Sequence, residues 1–92
     1  MPALKRSGLL KMKGKVVSFE EFERLIENLF SNGFYNTNGS LNQIADYMGY
    51  KAFLQIEEFM NDKGEKVSIE FIKEIINGTV HYYIKDIEVS QR

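Results

Sequence analysis

The chain contains no cysteine and no tryptophan, one proline and one histidine among its 92 residues. Without cysteine there is no disulfide, no thiolate nucleophile and no cysteine-ligated metal. A single histidine, His81, leaves no partner ring for a histidine-based metal or proton-relay site. No apolar run approaches the ~20 residues that span a bilayer. The apolar stretch near the start, Gly8-Leu9-Leu10, is too short for the core of a signal peptide. These absences direct the expectation to a cytoplasmic domain with no cofactor, no metal and no membrane partner. Catalysis is not expected either. The serines fall at caps and loops with no base at motif spacing, the carboxylates are scattered, and no glycine-rich phosphate loop is present.

The chain does have enough apolar and aromatic bulk to fold. Hydrophobic residues make up 43% of it, with seven Phe and five Tyr, which is too apolar for a disordered chain and fits one domain. Residues 1–9 read as a flexible basic tail and 10–92 as the domain. Net charge is −1 but unevenly placed. Residues 1–15 carry Lys5, Arg6, Lys11, Lys13 and Lys15 with no acid, while the rest holds seven bases against thirteen acids. A basic arm on an acidic body suggests a partner for the arm. Equally, it describes a strand whose lysines face water and guard a sheet edge.

Alternation over Leu10–Val17 predicts a strand, with Lys11, Lys13 and Lys15 on the wet side. Ser18 then caps a helix. Glu21 completes a capping box, and Phe19, Phe22, Leu25, Ile26, Leu29 and Phe30 form one apolar stripe that stops at Asn32-Gly33. Ser40 with Gln43 predicts a second cap and a short helix burying Leu41, Ile44, Ala45 and Met48 up to Gly49. Lys51 to Lys63 predicts a third helix that buries Phe53, Ile56, Phe59 and Met60. Beyond Lys66 two readings compete. A helix capped at Ser68 would gather Ile69, Ile72, Ile75 and Ile76. A β-hairpin about Asn77-Gly78 carries more weight, because Asn-Gly between β-branched runs is the strongest short hairpin signal. It would set Glu74 against His81 and Glu70 against Lys85, and group Phe71, Ile75, Val80 and Ile84 on one face.

The expected fold is therefore α+β. An N-terminal strand, three helices and a C-terminal β-hairpin are expected to form a small antiparallel sheet, in the order of a winged helix. Leu41-Asn42-Gln43-Ile44-Ala45-Asp46-Tyr47-Met48-Gly49-Tyr50 resembles the first half of a helix-turn-helix. Ala45 stands at the small-residue position and Gly49 at the positive-φ turn. The Gly-Tyr pair and the spacing of Ile56, Phe59 and Met60 are similar to AraC-type regulators. Two departures stand out: Lys51 is a poor cap, and the usual serine-rich entry is missing.

The resemblance implies a third helix in the DNA major groove, presenting Lys51, Ala52, Leu54, Gln55, Glu58 and Asp62 outward. Gln55 would read a base and Lys51 a phosphate or base, with Lys11, Lys13 and Lys15 assisting on the backbone. That is the expected function, nucleic-acid binding in transcription regulation, with a homodimer on paired half-sites. The alternative is a protein-interaction module or small inhibitor, in which Tyr47, Tyr50, Leu54 and Glu58 engage a basic protein partner.

Overall fold

The computed structural model describes residues 6–91. In chain order the elements are α1 (Arg6–Leu10), β1 (Val16–Ser18), α2 (Phe19–Ser31), β2 (Tyr35–Tyr47), β3 (Tyr50–Met60), β4 (Lys66–Ile76) and β5 (Thr79–Ser90). The five strands form one antiparallel sheet in the order β1-β5-β4-β3-β2. Strands β2 to β5 follow one another as a meander, and β1 closes on β5 at Val16–Tyr83, Val17–Tyr82 and Ser18–His81.

This architecture overturns the winged-helix and helix-turn-helix expectation. The two segments read as a second and a third helix are β2 and β3, paired along their whole length from Tyr35–Met60 to Tyr47–Tyr50. The reason lies in the spacing of apolar residues. In β2 the register shifts between Asn36 and Asn38 and again between Gln43 and Ala45, so an extra residue enters the strand at Thr37 and at Ile44. Each bulge breaks the period of two, and Leu41, Ile44, Ala45 and Met48 then mimic helical intervals. In β3 both faces carry apolar side chains, Phe53 and Phe59 on one and Leu54, Ile56 and Met60 on the other, which hides the alternation.

Gly49 does adopt a positive φ, +83°, but together with Met48 at +37°. Two successive positive φ angles define a type I′ hairpin turn. Asn77 (+50°) and Gly78 (+85°) repeat the arrangement between β4 and β5, so the hairpin reading of that segment holds. Ile75–Val80 and Phe71–Ile84 share a face as expected, and Glu74 faces His81. The Glu70 partner differs from expectation. A bulge shifts the register so that Glu70 pairs with Asp86, while the Lys85 ammonium still lies 3.8 Å from a Glu70 carboxylate oxygen.

The first helix expected from the sequence is α2, and its cap is as expected. Glu21 N–H donates to Ser18 Oγ (3.2 Å) and Ser18 N–H donates to Glu21 Oε1 (3.3 Å). The strand expected over Leu10–Val17 is shorter. Leu10 ends α1, a turn follows, and pairing begins only at Val16. Leu9 lies in the core at 3% exposure. Residues 1–5 of the basic arm, Lys5 among them, lie outside the described residues.

Helix α2 packs on one face of the sheet. Phe22 stacks on Tyr82 (centroids 4.1 Å apart, planes 13° from parallel) and tilts against Phe71 at 4.7 Å, while Phe30 meets Phe59 edge-on at 6.2 Å. Leu29, Ile69, Ile84 and Val67 are fully enclosed between helix and sheet. Each such side chain contributes roughly 1.5–3 kcal/mol by leaving water. A 13-residue helix reaches about 20 Å, whereas the molecule is 45 Å long. The helix therefore covers one end of one face. No helix among the described residues covers the opposite face or the far end of the β2–β3 hairpin.

Candidate functional site

Two surfaces are left by this packing. The first is a groove of about 300 Å³ along the flank of α2. Its apolar wall is Phe22, Ile26, Phe30, Phe59, Phe71 and Tyr82, and its polar rim is Asn36, Gln55, Glu57 and Lys73. Burial, with a smaller push from Glu23, raises the Tyr82 hydroxyl above its ordinary pKa.

The second surface is β2 with its turn. All of Tyr35–Tyr47 is exposed except Ala45, which is half-buried. Among the described residues the strand order leaves β2 with β3 on one side and no strand on the other. Its chemistry is unusual for an open edge. From Tyr35 to Tyr47 the only charge is Asp46, and there is neither lysine nor proline, the residues that ordinarily prevent an edge from pairing. Apolar side chains stand out from it. Tyr35, Leu41, Ile44 and Tyr47 are each 47–65% exposed, and Met48 at the turn is 99% exposed.

The amides of β2 tie the strand to β3. Asn36 Nδ2 donates to Glu57 Oε2 (3.0 Å) and to the Glu58 carbonyl (3.1 Å), and Asn38 Nδ2 donates to Glu58 Oε1 (3.2 Å). These contacts engage both β3 carboxylates with neutral partners and hold β2 extended.

The residues singled out from the sequence separate into two groups. Tyr47, Tyr50, Leu54 and Glu58, named for protein recognition, all lie on the face opposite α2. The register places Tyr47 against Tyr50, with Leu54 and Glu58 four and eight residues along β3. The rings of Tyr47 and Tyr50 are 5.6 Å apart. Tyr50 donates to Glu74 Oε2 at 2.7 Å, and that hydrogen bond, with burial adding to it, raises its pKa.

The residues named for nucleic acid do not converge. Gln55 is half-buried in the groove beside α2. Lys51 is exposed on the same face as Gln55, opposite Asp46. Lys13 is engaged by Asp86 at 3.1 Å, and Lys15 is part of the backbone link to Ile84. Three inter-strand spacings, about 14 Å, separate β1 from β3. The helix that was to carry Lys51 and Gln55 into a groove of DNA does not exist.

Sequence reasoning set Glu74 against His81 but missed that Ser18 extends this rung of polar side chains. Ser18, His81 and Glu74 are successive cross-strand neighbours on β1, β5 and β4. Their order is that of a nucleophile, a base and an acid, but Ser18 Oγ is occupied as the helix cap, and no hydrogen bond joins the three side chains. Among the described residues no group of three or more His, Asp or Glu side chains is placed to hold a metal ion. No helix among them is long and apolar enough to cross a membrane.

The fold and the open strand define the class, a small mostly-β domain: one five-stranded antiparallel meander with a helix over part of one face. Comparison with protein-family models, with curated proteins and with solved structures finds no match to this chain.

Proposed function

We propose that this chain is a protein-interaction module that accepts an extended polypeptide along β2, with Tyr47, Tyr50 and Leu54 as anchors on the adjoining face. One observation carries the reading: a 13-residue edge strand that bears a single charge, lacks the usual blocking residues and displays Tyr35, Leu41, Ile44 and Tyr47. An added strand would satisfy the outward-facing N–H and C=O groups of β2, and alternate side chains would settle on its two faces. Nucleic-acid binding has less support, since the cations assigned to it lie apart and Lys13 is held by Asp86.

The test is a photo-crosslinking residue at position 41 of the full chain in its native host, beside the same residue at position 27, which is exposed on α2. A polypeptide adduct from position 41 and none from position 27 is the expected result. Equal labelling from both positions, or none from position 41, overturns the reading.

A further inference from the structure

We infer that the strand received by β2 is β2 of a second copy, the two chains joining antiparallel into one continuous ten-stranded sheet. This rests on the interaction reading above and names its partner.

Among the described residues the sheet offers one long edge, β2. On the opposite side β1 has only three residues, and the neighbouring stretch of β5 is already bonded by the chain itself: Gly14 N–H donates to the Ile84 carbonyl (2.7 Å) and Ile84 N–H donates to the Lys15 carbonyl (2.8 Å). Lysines accompany that side, whereas β2 has none. A heterologous contact along the full length of both edges would have to displace these bonds, and one confined to residues 85–90 of β5 would engage less than half of β2. A contact of β2 with itself displaces nothing.

The side chains of β2 are arranged to meet their own copies. Directly opposed residues of an antiparallel pair share a face, so a two-fold axis normal to the sheet must pair residues of like orientation. An axis through Leu41 does so. Leu41 meets Leu41, Ser40 meets Asn42, and Gly39 meets Gln43. Further out Asn36 meets Asp46 and Tyr35 meets Tyr47. The register with β3 puts Tyr35 and Tyr47 on the same face, opposite Met60 and Tyr50, and puts Asn36 and Asp46 together on the other, opposite Phe59 and Lys51. The lone carboxylate therefore faces an amide rather than its own copy, and two exposed tyrosines lie across from each other at each end. The bulges at Thr37 and Ile44 bracket Asn38–Gln43 and confine regular pairing to that central stretch, which admits an axis through Ser40 or Leu41; of the two, only the Leu41 axis also sets Tyr35 against Tyr47.

The test takes the full chain in solution. Sedimentation equilibrium is expected to give twice the chain mass for wild type. Leu41→Lys, which sets two cations against each other on the axis, is expected to give the monomer with an unchanged circular dichroism spectrum, while Glu27→Lys stays dimeric.

Register is read separately, because the chain has no cysteine of its own. Opposed Cα atoms about 4.5–5.5 Å apart lie within disulfide reach. Leu41→Cys is expected to oxidise to a covalent dimer and Tyr47→Cys alone is not, whereas Tyr35→Cys mixed with Tyr47→Cys crosslinks again. A wild-type chain that sediments as a monomer over the whole dilution series overturns the second-copy partner, and so does a Tyr47→Cys dimer formed as fast as that of Leu41→Cys. If position 41 then photo-crosslinks to a different polypeptide, the interaction reading survives without this partner. If it crosslinks to nothing, both fall.

Discussion

The Tyr50 hydroxyl donates to a Glu74 carboxylate oxygen at 2.7 Å across the β3–β4 ladder. This bond raises the Tyr50 pKa above its ordinary value of 10.0, with burial and the Glu74 charge acting in the same direction. A raised folded-state value means the contact contributes its full stability below the ordinary pKa and loses it as pH rises through the raised one. Phenolate absorbance should therefore show one tyrosine titrating late for this reason. Glu74→Gln should move that transition back toward the ordinary value, and an unmoved titration would show that the carboxylate does not control it.

Acid should act at the other polar contacts. Glu65 accepts from Asn61 Nδ2 (2.6 Å) and Gln91 Nε2 (3.0 Å), and these bonds lower its pKa. Asp86 is lowered chiefly by its hydrogen bond to the Lys13 ammonium. Depressed carboxylates contribute stability that is present above their ordinary pKa and lost as pH falls through the folded value. The urea midpoint should accordingly decline below the ordinary carboxylate range of about 4. A Glu65→Gln, Asp86→Asn double variant should show a shallower decline over that window, and an unaltered slope would count against the assignment.

Phe22 is one of the side chains that fasten the helix to the sheet, and it touches both Phe71 and Tyr82. Phe22→Ala removes a ring that is only 8% exposed, and should destabilise the fold by about 3–5 kcal/mol. Denaturant titration followed by far-ultraviolet circular dichroism measures this. A loss below about 1 kcal/mol would show that the site collapses around the gap or that the helix is held elsewhere.

Two glycines with nearly equal φ should respond differently to the same change. Gly33 (+84°) and Gly49 (+83°) both occupy the left-handed region, so alanine at either costs about 1–2 kcal/mol. An added Cβ at Gly33 meets open space, whereas at Gly49 it would stand 2.7 Å from Asn77 Oδ1. Gly49→Ala should therefore be the more destabilising of the two by thermal melting. The Gly49→Ala, Asn77→Gly combination should recover the difference.

What the sequence discloses follows from how local each signal is. Ser18, Glu21 and the Phe22–Leu29 stripe act within one helix, and Asn77-Gly78 acts within one turn, so all of these are legible. The β2–β3 hairpin is not. Its bulges at Thr37 and Ile44 shift the apolar positions into helix-like intervals. Gly49 misleads for a physical reason as well, since a helix-turn-helix corner and a type I′ turn both require a positive φ. Of the candidate surface, Tyr47, Tyr50, Leu54 and Glu58 are legible as side chains, although the sequence pattern sets them on two helices and the turn between them. That β2 is an edge cannot be read locally, because the order of strands in a sheet is set by contacts between distant segments. The available hint is negative: Tyr35–Ala45 contains no charged residue and no proline.

The meander order also dictates how the domain comes apart. β2 leans on β3 alone, while β3, β4 and β5 each have neighbours on both sides, so the outermost strand can unzip without disturbing the helix or the aromatic cluster beneath it. Its amides should trade protons with heavy water through this partial opening, well ahead of those in β4, which await global unfolding. Whatever occupies the edge closes that route, making the exchange clock of this one strand a gauge of occupancy.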